Sequence, residues 1–242
     1  MTIYKRDGGG QGPAAMTPMP SPNFDERAAP VSMIVLHYTG MESAAAALDR
    51  LCDPAAKVSA HYCIDEDGTV HALVDEEKRA WHAGVSHWRG VTDVNSCSVG
   101  IELVNPGHEF GYRAFSEAQL DALVPLMADI KDRHGVTRGN VVGHSDIAPT
   151  RKRDPGELFP WARLARVRLA LPRPTRNLLD PQWTGAGFLL ALERFGYDVV
   201  DPLAATMAFQ RRFRPELIDG EIDAECRMLL LALLLPKPQG DE

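Results

Sequence analysis

No run of apolar residues in this chain is long enough to cross a bilayer. The longest, Met228–Leu235, stops at Pro236, well short of the roughly 18 residues a membrane helix needs. The N-terminus, M-T-I-Y-K-R-D-G-G-G, has no apolar stretch after its charges, so it reads as neither a secretory nor a lipoprotein signal. A cytoplasmic location is the expectation, with the cell envelope as the alternative should a leader have been removed. Cysteine is scarce. Cys52, Cys63, Cys97 and Cys226 form no C-x-x-C pair, and a disulfide framework of the kind that staples small secreted domains is not expected. Positive charge is lacking too: a net charge of -7 argues against a nucleic-acid surface and leaves small or neutral ligands. Neither an H-E-x-x-H cluster nor an internal repeat occurs.

What is present fits a soluble globular protein, at 45% hydrophobic and 24% charged residues. The 242 residues accommodate one medium and one small domain. Residues 1–30, rich in Gly and Pro, read as an irregular arm. Met33–Leu36 is a short apolar run typical of a buried strand, followed by His37. An alanine-rich helix is expected from Glu42 to Leu51. Two strand-like runs, 58–64 and 70–74, flank Asp65-Glu66-Asp67-Gly68 and predict a β-hairpin. In 98–105, Val99, Ile101 and Leu103 alternate with Gly100 and Glu102, which places Glu102 on the face opposite the apolar row. Ser116 and Gln119 have capping-box spacing before a helix that reaches His134. Val141-Val142 read as a strand that Gly143 ends, with a polar loop from His144 to Asp154 and a closing helix over 161–171.

Pro172-Arg173-Pro174 is the best boundary. The division is a catalytic unit at 31–172, a linker at 173–177 and a unit at 178–238. The last contains three short helical patterns, at 185–195, 202–213 and 223–234, punctuated by Gly196 and Gly220. The expected class is α/β, a mixed central sheet flanked by helices, plus a small three-helix C-terminal domain.

His37, His144 and Asp154 each follow or lie near the end of a strand. Two imidazoles and one carboxylate suit a catalytic zinc, which takes three protein ligands and keeps a fourth position open. Spacing alone does not establish the metal, since no local ligand cluster is present; satisfied histidines at strand ends and an aspartate opening a turn account for these residues as well.

The motifs V-L-H-Y-T, V-S-A-H-Y-C-I-D-E-D-G, R-A-W-H-A-G, S-V-G-I-E-L-V-N, G-H-S-D-I-A-P and R-K-R-D-P-G, in that order, resemble the zinc-dependent N-acetylmuramoyl-L-alanine amidases of amidase family 2. Peptidoglycan recognition proteins share their fold. The resemblance covers roughly residues 20–170. The segments G-F-L-L-A-L-E-R-F-G-Y and A-F-Q-R-R-F-R-P are similar to a three-helix peptidoglycan-binding domain.

The resemblance implies one Zn2+ per chain on His37, His144 and Asp154, Glu102 as general base, and Lys152 stabilising the oxyanion. Arg151 and Arg153 read as a solvated basic run. His61, Trp81, His82 and Asn105 are candidate substrate contacts, with structural roles as the alternatives; Trp88 is expected to rim the groove. The implied reaction is hydrolysis of the lactyl amide between N-acetylmuramic acid, in plain or 1,6-anhydro form, and L-alanine, in cell-wall recycling or turnover. The expected partner is a muropeptide or peptidoglycan fragment, with no nucleic acid and no membrane span, and the chain acts as a monomer. A non-catalytic muropeptide receptor on the same fold is the alternative.

Overall fold

The structure is a computed structural model and describes residues 16–176 and 178–235. Six strands form one mixed sheet. Across it lie β1 (Thr17–Pro18), β5 (Val70–Ala72), β4 (Tyr62–Ile64), β7 (Ser98–Leu103), β3 (Met33–Tyr38) and β8 (Val141–Gly143). All neighbours run parallel except the hairpin pair β4 and β5. A second, antiparallel pair joins β2 (Phe24–Glu26) to β6 (Lys78–Ala80).

Parallel strands are covered on both faces, and the side-chain alternation of β3 and β7 shows how. Ile34 and Leu36 share one apolar cluster with Val99, Ile101 and Leu103 and with Leu120, Leu123, Met127 and Ile130 of α4 (Glu117–His134). The expected capping box starts α4: the Ser116 hydroxyl accepts from Gln119 N at 3.1 Å, and Gln119 Oε1 accepts from Ser116 N at 3.1 Å. Met33, Val35 and Val142 face the other way. They join Trp88, Phe188, Leu192 and Phe209 in a second cluster. Phe188 and Leu192 belong to α7 (Gly185–Phe195) and Phe209 to α8 (Pro202–Phe213), which pack with α9 (Ala224–Leu234). A third cluster sets Leu48 and Leu51 of α1 (Ala44–Cys52) against Cys63 and Val104. Between the second and third clusters, Ser98, Gly100 and Glu102 form a small, polar row on the same face.

Several expectations are corrected. Of the arm at 1–30, residues 1–15 lie outside those described, and 17–18 and 24–26 form short strands; β2 is exposed throughout, so it carries no apolar alternation. The stretch after Gly143 opens with a helical turn, α5 (His144–Ile147), too short to show a period. The closing helix, α6 (Trp161–Arg166), is shorter than expected and stops before Arg168, whose φ of 60° is left-handed. Trp88 does not rim a groove; it is buried against Phe195 and Tyr197. The remaining short helices are α2 (Val94–Cys97) and α3 (Gly107–Phe110). Among the described residues no helix is long and apolar enough to cross a membrane.

The end of α4 is tied to the hairpin through Glu76, which is buried. Its Oε1 accepts from the Tyr62 hydroxyl at 2.7 Å and from Arg133 at 2.8 Å, and its Oε2 meets Arg133 and His134. Burial alone would raise this carboxyl; its hydrogen bonds with Arg133, Tyr62 and His134 outweigh that and bring it down to about 2 from 4.5. A depressed carboxyl stabilises the fold above its unfolded pKa and loses that contribution as pH falls through the folded value. The contribution is on the order of 3 kcal/mol and disappears between pH about 4.5 and about 2. Urea midpoints of wild type and Glu76→Gln are expected to differ at pH 7 and to converge towards pH 2.

Candidate metal centre

The parallel register brings three strand ends to one edge. His37 is paired opposite Glu102, and Leu36 opposite Gly143, so His144 begins just beyond the same level. His37 lies on the same face as Val35, and Glu102 on that of Gly100. The chain then returns after α5: Ser145 N donates to the Asp154 carbonyl at 2.8 Å, and Lys152 N to that of Ala148 at 3.0 Å. Open α/β sheets generally place ligands beyond the carboxyl ends of their strands.

His37, His144 and Asp154 are all buried, and one ligand atom from each converges. His37 Nδ1 lies 2.9 Å from His144 Nδ1 and 3.0 Å from Asp154 Oδ2, and the third side is 3.1 Å. Tetrahedral ligands at 2.0–2.1 Å from a zinc ion are about 3.3 Å apart, so a small relaxation admits one. His144 Nε2 donates to the Ala83 carbonyl at 3.0 Å, which turns its Nδ1 towards the other two ligand atoms. Burial, then the neighbouring His144, lowers His37 to about 4, so this ring is neutral at physiological pH. Two imidazoles and a carboxylate are the donors that zinc takes in hydrolytic sites, and the residues fit such an ion.

Glu102 is buried beside them. Its Oε2 has no hydrogen-bond partner among the described residues. Burial, then Asp154, raises its carboxyl to about 8, and the nearby Lys152 charge opposes the rise. Lys152 is half-buried, and its charge acts at both His37 and Glu102.

The other candidates are placed differently. His82 is enclosed behind His37, with Nδ1 3.0 Å from His37 Nε2. His61 is fully buried; its Nδ1 accepts from Gly100 N at 2.9 Å. Asn105 is consumed by its turn: its amide donates to the Arg113 carbonyl, and its Oδ1 accepts from Gly107 N at 3.0 Å. The Trp81 indole donates to Asp25 at 2.7 Å, on β2. None of these four presents a free polar group to a substrate at the centre. Arg151, read as solvated, donates to the Ala83 carbonyl at 3.1 Å and to that of Val85. Sequence reasoning missed Asn95, whose Oδ1 accepts from the backbone of both His82 and Ala83. No local pattern marks it. A cavity of about 380 Å³, lined by His108, Arg153, Glu157, Met207 and Arg211 among others, opens beside the ligand loop.

The sequence profile of the N-acetylmuramoyl-L-alanine amidase family matches residues 27–157. N-acetylmuramoyl-L-alanine amidase AmiD of Escherichia coli is 38% identical over 234 residues, covering 84% of this chain and 82% of that protein. The 1,6-anhydro-N-acetylmuramyl-L-alanine amidase AmpD of Haemophilus influenzae is 34% identical over 163 residues, 59% of this chain and 86% of its own. Among solved structures, E. coli AmiD in complex with the substrate anhydro-N-acetylmuramic acid-L-Ala-D-γ-Glu-L-Lys superposes with a TM-score of 0.77 at 36% identity, covering 87% of this chain and 91% of that one. AmpDh3 of Pseudomonas aeruginosa in complex with anhydromuramic pentapeptide gives 0.74 at 34%, covering 84% and 90%.

Proposed function

The chain belongs to the N-acetylmuramoyl-L-alanine amidase family, and from that premise we propose that it uses one zinc ion per chain to hydrolyse the lactyl amide of 1,6-anhydro-muropeptides. The observation that carries this reading is the convergence of three buried ligand atoms beside the unpartnered carboxyl of Glu102. When bound by His37, His144 and Asp154, the ion supplies Lewis acidity, lowering the pKa of a water to about 7 and polarising the amide carbonyl, together with a positive charge that counters the burial of Glu102.

The chain's own groups do the rest. Glu102 takes the proton of the attacking water and passes it to the amide nitrogen, so that L-alanine leaves as a free amine. The Lys152 ammonium faces the negative charge that develops on the carbonyl oxygen. The cavity lined by Arg153 and Arg211 receives the acidic stem peptide. Catalysis belongs to residues 31–172; residues 178–238, of which 236–238 lie outside those described, form a bundle built onto the second face of the sheet. We assign the enzyme to the recycling of soluble fragments, acting as a monomer in the cytoplasm.

The test is release of free stem peptide from anhydro-muramyl tripeptide by the zinc-loaded protein, run beside intact sacculi. Faster release from the soluble fragment is expected. A protein that binds the fragment and releases nothing, even with added zinc, would instead be a receptor on the same fold.

A further inference from the structure

Behind the metal centre, a chain of hydrogen bonds runs from His37 back into the sheet. His82 Nδ1 is 3.0 Å from His37 Nε2, His82 Nε2 is 3.2 Å from the Ser98 hydroxyl, and that hydroxyl is 2.6 Å from the Val94 carbonyl. All three side chains are buried. The His82 ring lies flat over Gly100, where any Cβ would overlap it, so the absence of a side chain at residue 100 makes the room.

The direction of every proton in this chain follows from its far end. A carbonyl can only accept, so the Ser98 hydroxyl donates to Val94. Its oxygen then has only lone pairs for His82, so His82 Nε2 carries a hydrogen. No carboxylate is hydrogen-bonded to the buried His82 ring, which is therefore neutral, and its Nδ1 must accept. The hydrogen between the two rings accordingly sits on His37 Nε2, and His37 Nδ1 is a bare lone pair. On the other side of the centre, His144 Nε2 donates to the carbonyl of Ala83 at 3.0 Å, which turns its Nδ1 towards the same point. The loop holding both rings is itself pinned, because Asn95 Oδ1 accepts from His82 N at 3.1 Å and Ala83 N at 2.8 Å.

We propose that His82 and Ser98 are positioning residues that lock His37 in the Nε2–H tautomer, so that its Nδ1 is presented to the metal before any metal arrives. The consequence is that His37 Nδ1 turns a lone pair towards the point where His144 Nδ1 and Asp154 Oδ2 converge on it at 2.9 and 3.0 Å, a place suited to a cation. The proposal rests on the zinc reading above. Outer partners of this kind are worth about 10–100-fold in metal affinity.

The test uses the full chain and zinc alone. Nitrogen-15 spectra of the metal-free protein report the tautomer of His37, and competition with a chromophoric chelator reports zinc affinity. Wild type is expected to show His37 with its hydrogen on Nε2. Ser98→Ala and His82→Phe are expected to weaken zinc binding about 10–100-fold and to bring in the Nδ1–H tautomer. His82→Gln, whose carbonyl can accept from His37 while its amide donates to Ser98, is expected to keep most of the affinity. Ser98→Ala removes one oxygen and retains the ring, and thermal melts of the metal-free variants separate misfolding from a lost orientation. A wild-type His37 carrying its hydrogen on Nδ1, or unchanged zinc affinity in both folded variants, overturns the proposal. A wild-type chain that binds no zinc overturns the zinc reading instead, and the nitrogen spectrum still decides the tautomer.

Discussion

Glu102→Gln is expected to lower the rate of amide hydrolysis by about 10²–10⁴-fold, the range a positioned general base contributes, with bound zinc unchanged. Glutamine has the same shape and cannot take a proton from water. Because Oε2 of Glu102 has no hydrogen-bond partner among the described residues, the exchange breaks no bond that the fold relies on. The variant should therefore be no less stable. In the metal-free protein it should be more so: a carboxyl raised to about 8 by burial opposes folding increasingly once the unfolded chain ionises above pH about 4.5. Steady-state release of stem peptide, metal content and a thermal melt at pH 8 with chelator together check this. A variant that retains near wild-type turnover would remove Glu102 from the reaction and leave Lys152 or a further water as the proton carrier.

Stripping the metal with a chelator should abolish activity and also soften the fold. An ion at a hundredfold excess over its dissociation constant stabilises by about 2.7 kcal/mol, which for a chain of this size corresponds to a fall in Tm of roughly 5–10 °C on removal. Zinc added back should restore both. In Asp154→Ala it should restore neither, since the carboxylate is the one anionic ligand of the three. Zinc quantification should give one ion per wild-type chain. Full activity after exhaustive chelation would end the metal reading outright.

Much of this site was legible in the sequence because its geometry is local to strand ends. Met33–Leu36 are apolar and uninterrupted, so the exit of His37 could be read directly. The alternation around Ile101 placed Glu102 on the opposite face, where β7 carries it. The cap at Ser116 was equally readable, and so were the three C-terminal helices, which begin at the capping side chains of Thr184, Asp201 and Asp223. The illegible parts are those whose partners lie far along the chain. His82 meets His37 across 45 residues, and nothing near it in sequence names that neighbour, so a substrate contact and a structural role read alike there. Trp88 reads as an aromatic rim in sequence, whereas Phe195 and Tyr197, more than a hundred residues on, enclose it in the fold. The turn at α5 has one helical repeat and shows no period, and β2 buries no face that a hydrophobic pattern could reveal.

Val35, Val142, Phe188 and Phe209 sit in one cluster, and the Tyr197 hydroxyl donates at 2.6 Å to buried Asp146, in the turn that begins with His144. The C-terminal helices are thus bonded to the strands and the turn that carry the ligands. Melting is consequently expected to be cooperative across the boundary at Pro172: a calorimetric scan should give a single heat-absorption peak, and the helices alone, lacking the sheet that completes their interior, should give none.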